Sequence, residues 1–376
     1  MMRRFTHFGV SVLLLASLGL SLGSCKKDKE EAIDPVVAAP TPYVLTVPAG
    51  FPTPVIPADN PLTNEGVALG RMLFYETKLS STGTMSCGSC HQQNKAFTDG
   101  LAKAVGVDGI ANPRGTMSLA NVMWSTTLTW DGAFPTLEAQ ALKPIENPIE
   151  LHQPLTVGVG KLQKSSTYPP LFEAAFGTRT ITNDLVLKAL TQFERTLISG
   201  NSRFDKFTKT QQGLTADELA GLKLYTTHIS PRIIRGAECF HCHTLPLASS
   251  NFAAQFFNNG LDLTFSDPGR GGVTRLPSDN GKFIAPTLRN ITLTAPYMHD
   301  GRFTTLEQVL DHYSDHVQMA SPGLDVNLIQ GINDPIFNPG HMGLTATEKR
   351  QVIAFLKTLT DSTFIADKRF SDPFKP

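Results

Sequence analysis

The chain has 376 residues, with 33 Lys and Arg balanced by 33 Asp and Glu, and 41% of it is hydrophobic. That balance gives no electrostatic case for binding nucleic acid or an anionic membrane surface. The hydrophobic content is ordinary for a globular protein, and 26 prolines with 30 glycines imply many loops between shortish helices.

Residues 1–24 open on a basic start, "MMRRFTHFGV", and continue as a short apolar run, "SVLLLASLGLSLGS". This reads as an export signal, too short for a comfortable membrane span. Small residues in "LGSC" precede Cys25, as at a bacterial lipoprotein processing site where Cys25 becomes the acylated first residue. A plain signal peptide with a stray cysteine is the alternative. Residues 25–49 are charged, then Pro- and Ala-rich, and are expected to form a flexible tether. No second long apolar stretch follows, so membrane contact is expected through the lipid alone, at the periplasm or outer cell envelope. The remaining length suits two domains of ordinary size, drawn at 50–200 and 201–376.

A helix-start signal, "LTNEG", begins at Leu62. Next comes "MSCGSCHQQNKAF", in which Cys87, Cys90 and His91 have the Cys-x-x-Cys-His order of c-type haem attachment. Each thiol adds across a porphyrin vinyl group, and the adjacent His supplies the proximal nitrogen to iron. The motif recurs as Cys239, Cys242 and His243 in "ECFHCHTLP". A zinc ribbon would pair such units ~15–20 residues apart, and a thioredoxin-like dithiol would need a βαβ context. Neither explains the His in both copies. With Cys25 counted, the five cysteines leave none for a structural disulfide.

"LTADE" at Leu214 and "LTATE" at Leu344 carry capping-box spacing, Thr215 with Glu218 and Thr345 with Glu348. After Thr345, the residues Val352, Phe355, Leu356 and Leu359 recur at helical period and form a core-packing face. The chain therefore reads as mostly α.

A repeat lies outside the haem motifs. "SLANVMWSTTLTWDGAFPTLE" (118–138) and "TLRNITLTAPYMHDGRFTTLE" (287–307) share [ST]-L-x-N, nine residues, then D-G-x-F-x-T-L-E without a gap. A common supersecondary frame explains that spacing. In register, Trp130 matches His299, Gln140 matches Val309, and Pro144 matches Tyr313. If each copy covers its own haem, one distal face offers a Tyr able to bind iron and the other a Pro that cannot.

These motifs, with "LGRMLFYETKLSSTGTMSCGSCH" and "WDGAFPTLEAQALKPIENPIE", resemble the bacterial di-haem cytochrome c peroxidases, including their MauG branch, over about residues 50–361. The resemblance implies two cytochrome-c-like helical domains packed across a shared interface. The N-terminal domain would hold the peroxidatic haem and the C-terminal one the electron-transfer haem. Trp130 matches the Trp implicated in electron transfer between them. Gln140 and Glu150 match the distal pair that orients peroxide and moves its proton, chemistry that a general base performs. Pro144 matches a position beside the same pocket.

Three positions depart from the family's commonest pattern. No His occurs from Gln92 to Leu151, where many members keep one that blocks the peroxidatic iron; His152 is the nearest rival ligand. The distal Met of the second haem is replaced by Tyr313, as in the MauG branch, with His312, Met319 and Met342 as rivals. Gly115 stands where an interdomain calcium site uses Asn, which leaves calcium open, with carbonyls at Thr294 and Pro296 still available to it. The leading expectation is reduction of hydrogen peroxide with electrons from a small donor, a cytochrome c or a cupredoxin. The alternatives are a MauG-like oxidase withdrawing electrons from a partner protein through high-valent iron, and a non-enzymatic di-haem electron carrier.

Overall fold

The computed structural model describes residues 38–228, 235–332 and 342–375; the leader and Cys25 lie outside the described residues. Its helices are α1 (Asn64–Tyr75), α2 (Cys87–Cys90), α3 (Leu137–Glu146), α4 (Leu155–Gln163), α5 (Tyr168–Phe176), α6 (Asn183–Glu194), α7 (Arg203–Thr210), α8 (Ala216–Tyr225), α9 (Arg270–Thr274), α10 (Leu306–Asp315), α11 (Val326–Ile332) and α12 (Ala346–Thr358). Two-residue strands β1 (Phe256–Phe257) and β2 (Phe283–Ile284) pair antiparallel. The protein is thus mostly helical. No helix among the described residues is long and apolar enough to cross a membrane.

Caps start the helices where the sequence placed them. Thr63 caps α1, and Thr215 with Glu218 and Thr345 with Glu348 close capping boxes on α8 and α12. Val352, Phe355 and Leu356 of α12 are buried, as is Leu359 at its C-cap.

Each haem motif follows a helix that crosses a later one at a glycine. A Cβ added at Gly70 of α1 would lie 1.9 Å from the Ala189 carbonyl oxygen of α6, and one at Gly221 of α8 equally close to that of Gln351 in α12. Neither crossing tolerates a side chain. Around the first, Leu69, Leu73, Phe74, Phe172 and Phe193 form one core, joined by Phe364 and Phe370 from the end of the chain. Around the second, Tyr225, Leu310, Val352 and Phe355 form another.

The tether expected over 25–49 is not loose at its end. The Tyr43 N–H donates to the Leu62 carbonyl (3.0 Å), the Thr41 N–H donates to Glu65 (2.8 Å), and Leu45 and Val47 pack beside Trp124 and Leu247. Two apolar residues in a Pro-rich stretch suffice to seat it, because proline has little conformational entropy left to lose.

The two copies of the repeat share one backbone. Asn121 and Asn290 have the same left-handed φ of 62°, and Thr129 and Met298 match at 71° and 72°. Bridges Leu128–Phe134 and Tyr297–Phe303 close the same loop, and Thr136 and Thr305 cap α3 and α10. The shared spacing therefore encodes one supersecondary unit used twice.

Candidate active site: two haem cavities and the wall between them

The first repeat copy and the first haem motif line a cavity of 490 Å³. Cys87, Cys90 and His91 are on its wall, as are Gln140 and Pro144 from α3 and Glu150 beyond it. The second copy lines a cavity of 210 Å³ with Cys239, Cys242, His243, Val309 and Tyr313. Pro144 and Tyr313, equivalents in the repeat, face corresponding cavities.

The donors fit covalently bound haem. All four motif cysteines are free thiols, and burial holds them well above the usual thiol range, Cys90 at about 11 and Cys239 at about 12. None of the four is in a disulfide, which leaves each available to a porphyrin vinyl group. Burial likewise lowers both histidines, His243 to about 4, so both rings are neutral at pH 7. Nδ1 of His91 lies 2.8 Å from the Phe97 carbonyl, and Nδ1 of His243 lies 3.0 Å from that of Pro286. Those carbonyls select the Nδ1–H tautomer and leave Nε2 as the lone-pair donor for an axial bond. The Tyr225 hydroxyl also donates to the His243 carbonyl.

Among the described residues, His91 is the sole imidazole on the first cavity's wall, and no Tyr lies on it. His152 is exposed, pairs with Asp108 at 2.6 Å, and is not on that wall. Burial raises the Glu150 carboxyl, opposed by the Asn147 side chain, which donates to it at 2.6 Å, and by Lys143. Asn147 stands three residues before Glu150 in "ENPIE", a local signal that sequence reading passed over. Glu194 also lines this cavity, buried, with Oε2 lacking a hydrogen-bond partner. Burial pushes its carboxyl up to about 8. Nothing in its local sequence distinguishes it from the solvated acids nearby.

In the second cavity the Tyr313 hydroxyl accepts a hydrogen bond from the Asn259 side chain (3.2 Å), while burial raises its pKa. His312 instead contacts the Asn259 carbonyl through Nε2 at 3.1 Å and is absent from the wall. Met319 is absent as well, whereas Met298 and Met342 reach it.

Trp130 lies on the walls of both cavities. Its indole N–H donates to the Gly115 carbonyl at 2.9 Å, and its own carbonyl accepts from the Ile284 N–H of β2. Beside it, Arg114 pairs with Asp131 and with Asp267, each at 2.7 Å, fixing the segment laterally. A Cβ at Gly115 would come within 3.1 Å of the Ala102 carbonyl oxygen, so an Asn there requires a local shift.

A family model described as di-haem cytochrome c peroxidase matches residues 64–213. The methylamine utilization protein MauG of Methylorubrum extorquens is 35% identical over 306 residues, covering 81% of this chain and 80% of the relative. Cytochrome c551 peroxidase of Nitrosomonas europaea is 30% identical over 314 residues, covering 83% and 85%. Among solved structures, a MauG-like protein associated with microbial copper homeostasis superposes with a TM-score of 0.77 at 37% identity, covering 89% of this chain and 100% of that one. The diheme peroxidase BthA of Burkholderia thailandensis shares the fold, with a TM-score of 0.69 at 22% identity over 90% and 98%.

Proposed function

The chain belongs to the di-haem cytochrome c peroxidase family, and on that premise we propose that it reduces hydrogen peroxide to water at the His91 cavity, with electrons entering at the C-terminal haem from a small redox protein. Two covalently bound c-type haems, as the family implies, supply the redox chemistry. Glu150 acts as the base that takes a proton from one peroxide oxygen and returns it to the other, so that the leaving oxygen departs as water. The Gln140 amide orients the peroxide, and Pro144 fills its part of the wall without offering a ligand atom. Two electrons and two protons complete the reduction of one peroxide to two waters. Trp130, common to both cavity walls, is the route between them.

The observation that carries this reading is the presence of Gln140 and Glu150 on a wall whose sole imidazole, among the described residues, is His91. Steady-state oxidation of a reduced cytochrome c or cupredoxin by hydrogen peroxide tests it. Turnover that requires both haems is the expected result, and no turnover with any small donor would sink the assignment. Attachment of c-type haem outside the cytoplasm, with Cys25 as a lipid anchor, goes with this reading. Calcium between the domains does not enter it.

A second reading has its own support in Tyr313. A phenolate is a hard anionic donor and favours oxidised iron. The similarity to MauG and to the MauG-like copper-associated protein points the same way. On this reading the oxidising equivalents are withdrawn from a partner protein. Stoichiometric oxidation of such a partner without donor turnover would support it.

A further inference from the structure

At the second haem motif three side chains converge on one point; Glu238 borders the second cavity, while His228 and His241 lie off its wall. His228 lies just after α8, Glu238 precedes Cys239, and His241 sits between Cys239 and Cys242. One carboxylate oxygen, Oε1 of Glu238, lies 2.9 Å from Nδ1 of His228 and in closer contact with Nδ1 of His241. The three ligand atoms fall within 4.8 Å of one another. We propose that His228, Glu238 and His241 bind one divalent transition-metal cation of the zinc class.

Several independent features support a metal over a simple ion pair. The Nδ1 atom of His241 is buried and makes no hydrogen bond, although it touches the Glu238 carboxylate. The two imidazole rings stand at 84° with centroids 5.5 Å apart, so they approach the shared point from different directions. Glu238 is 4% exposed and has φ of 55°, a left-handed conformation that is costly for a non-glycine residue. Strain of this kind persists only where the surroundings hold it, and it gathers at ligand sites.

The donor set selects the ion. Two imidazole nitrogens and one carboxylate oxygen suit Zn²⁺ and its first-row neighbours, whereas Ca²⁺ and Mg²⁺ want oxygens throughout. The four thiols that would draw a softer ion are committed to haem attachment under the proposed function. His228 is half exposed, which leaves the outer side open to water as a fourth ligand. The bound ion would tie the haem-binding turn to the end of α8. It is separate from the interdomain position of Gly115, Thr294 and Pro296.

The test uses untagged di-haem holoprotein, treated with EDTA, desalted and titrated with Zn²⁺ by calorimetry, with metal counted by mass spectrometry. One zinc per chain is expected beside two irons. His228→Ala leaves the haem motif intact and should weaken zinc binding by roughly tenfold or more, the least expected of losing a ligand when outer-shell changes already cost that much. Glu238→Gln should do the same, with the Soret spectrum and two-haem mass reporting that each variant is folded. Absence of saturable zinc binding by the wild type would overturn the site. So would unchanged zinc affinity in His228→Ala. Because the readout is zinc and not peroxide turnover, its failure leaves the peroxidase reading standing, and the reverse holds too.

Discussion

Trp130 and His299 occupy the same position in the two copies of the repeat, and a single residue joins them. The Trp130 indole donates to the Gly115 carbonyl at 2.9 Å, and the Gly115 N–H donates to the His299 carbonyl at 2.8 Å. The His299 ring stacks on Phe283 with centroids 3.9 Å apart, while Trp130 borders both haem cavities. The duplicated frame has thus been divided into a bridging member and a packing member.

Trp130→Phe keeps the aromatic bulk and removes the N–H donor. Loss of that hydrogen bond should cost roughly 1 kcal/mol of stability. Peroxide turnover should fall while both haems stay attached. Turnover at the wild-type rate, measured with two haems per chain by mass, would remove Trp130 from the electron path.

Glu150→Gln retains size and removes the base. Cleavage of peroxide, followed by stopped-flow absorbance, should slow by ~10²–10⁴-fold. Because burial raises the wild-type carboxyl, the base is lost by protonation as pH falls through a value above the ordinary 4.5. The rate should therefore decline on the acid side earlier than for a solvated glutamate. A loss of less than about threefold, well below the usual contribution of a general base, would return Glu150 to a passive place in the wall.

The haem at His91 should be high-spin in the diferric protein and bind cyanide without prior reduction. Among the described residues His91 is the sole imidazole on that cavity's wall, and His152 is held outside by Asp108. Electron paramagnetic resonance of the isolated protein decides the matter. Two six-coordinate low-spin signals would mean that a residue not on this wall reaches the iron.

Tyr313→Phe should change the spectrum of the haem at His243, and His312→Ala should not, since its ring is turned to the Asn259 carbonyl. The potential of that haem should lie below that of Met-ligated relatives, because thioether ligation raises haem potential. A high potential, together with an unaltered Tyr313→Phe spectrum, would transfer the ligand role to Met298 or Met342.

Glu194→Gln should stabilise the protein at neutral and alkaline pH. The folded carboxyl is raised by burial to about 8 from an ordinary 4.5. Below 4.5 both folded and unfolded chains hold the proton, and the group costs nothing. Between these values the unfolded chain releases it first, so stability falls by up to about 1.4 kcal/mol per pH unit. Above about 8 the loss is complete. Thermal unfolding of wild type and variant at pH 5 and pH 8 checks this, and parallel profiles would count against a protonated Glu194.

The Cys-x-x-Cys-His order, the capped helix starts and the duplicated frame were all legible in the sequence, because each is written in residues a few positions apart. Cys87, Cys90 and His91 must be neighbours for two thioethers and one axial bond to meet a single macrocycle. The equal spacing from Ser118 to Glu138 and from Thr287 to Glu307 likewise records one backbone path. Which side chains share a wall was decided by tertiary packing. The bond from Asn259 to Tyr313 spans 54 residues, and the seat of Phe364 and Phe370 in the first core brings them against residues such as Leu69 and Phe74, far away in the sequence. The meeting of His228 with His241 depends on the chain closing back beside α8. Contacts of this kind come from helix crossings such as Gly70 with Ala189, where two surfaces distant in sequence exclude water together, and no local spacing encodes them.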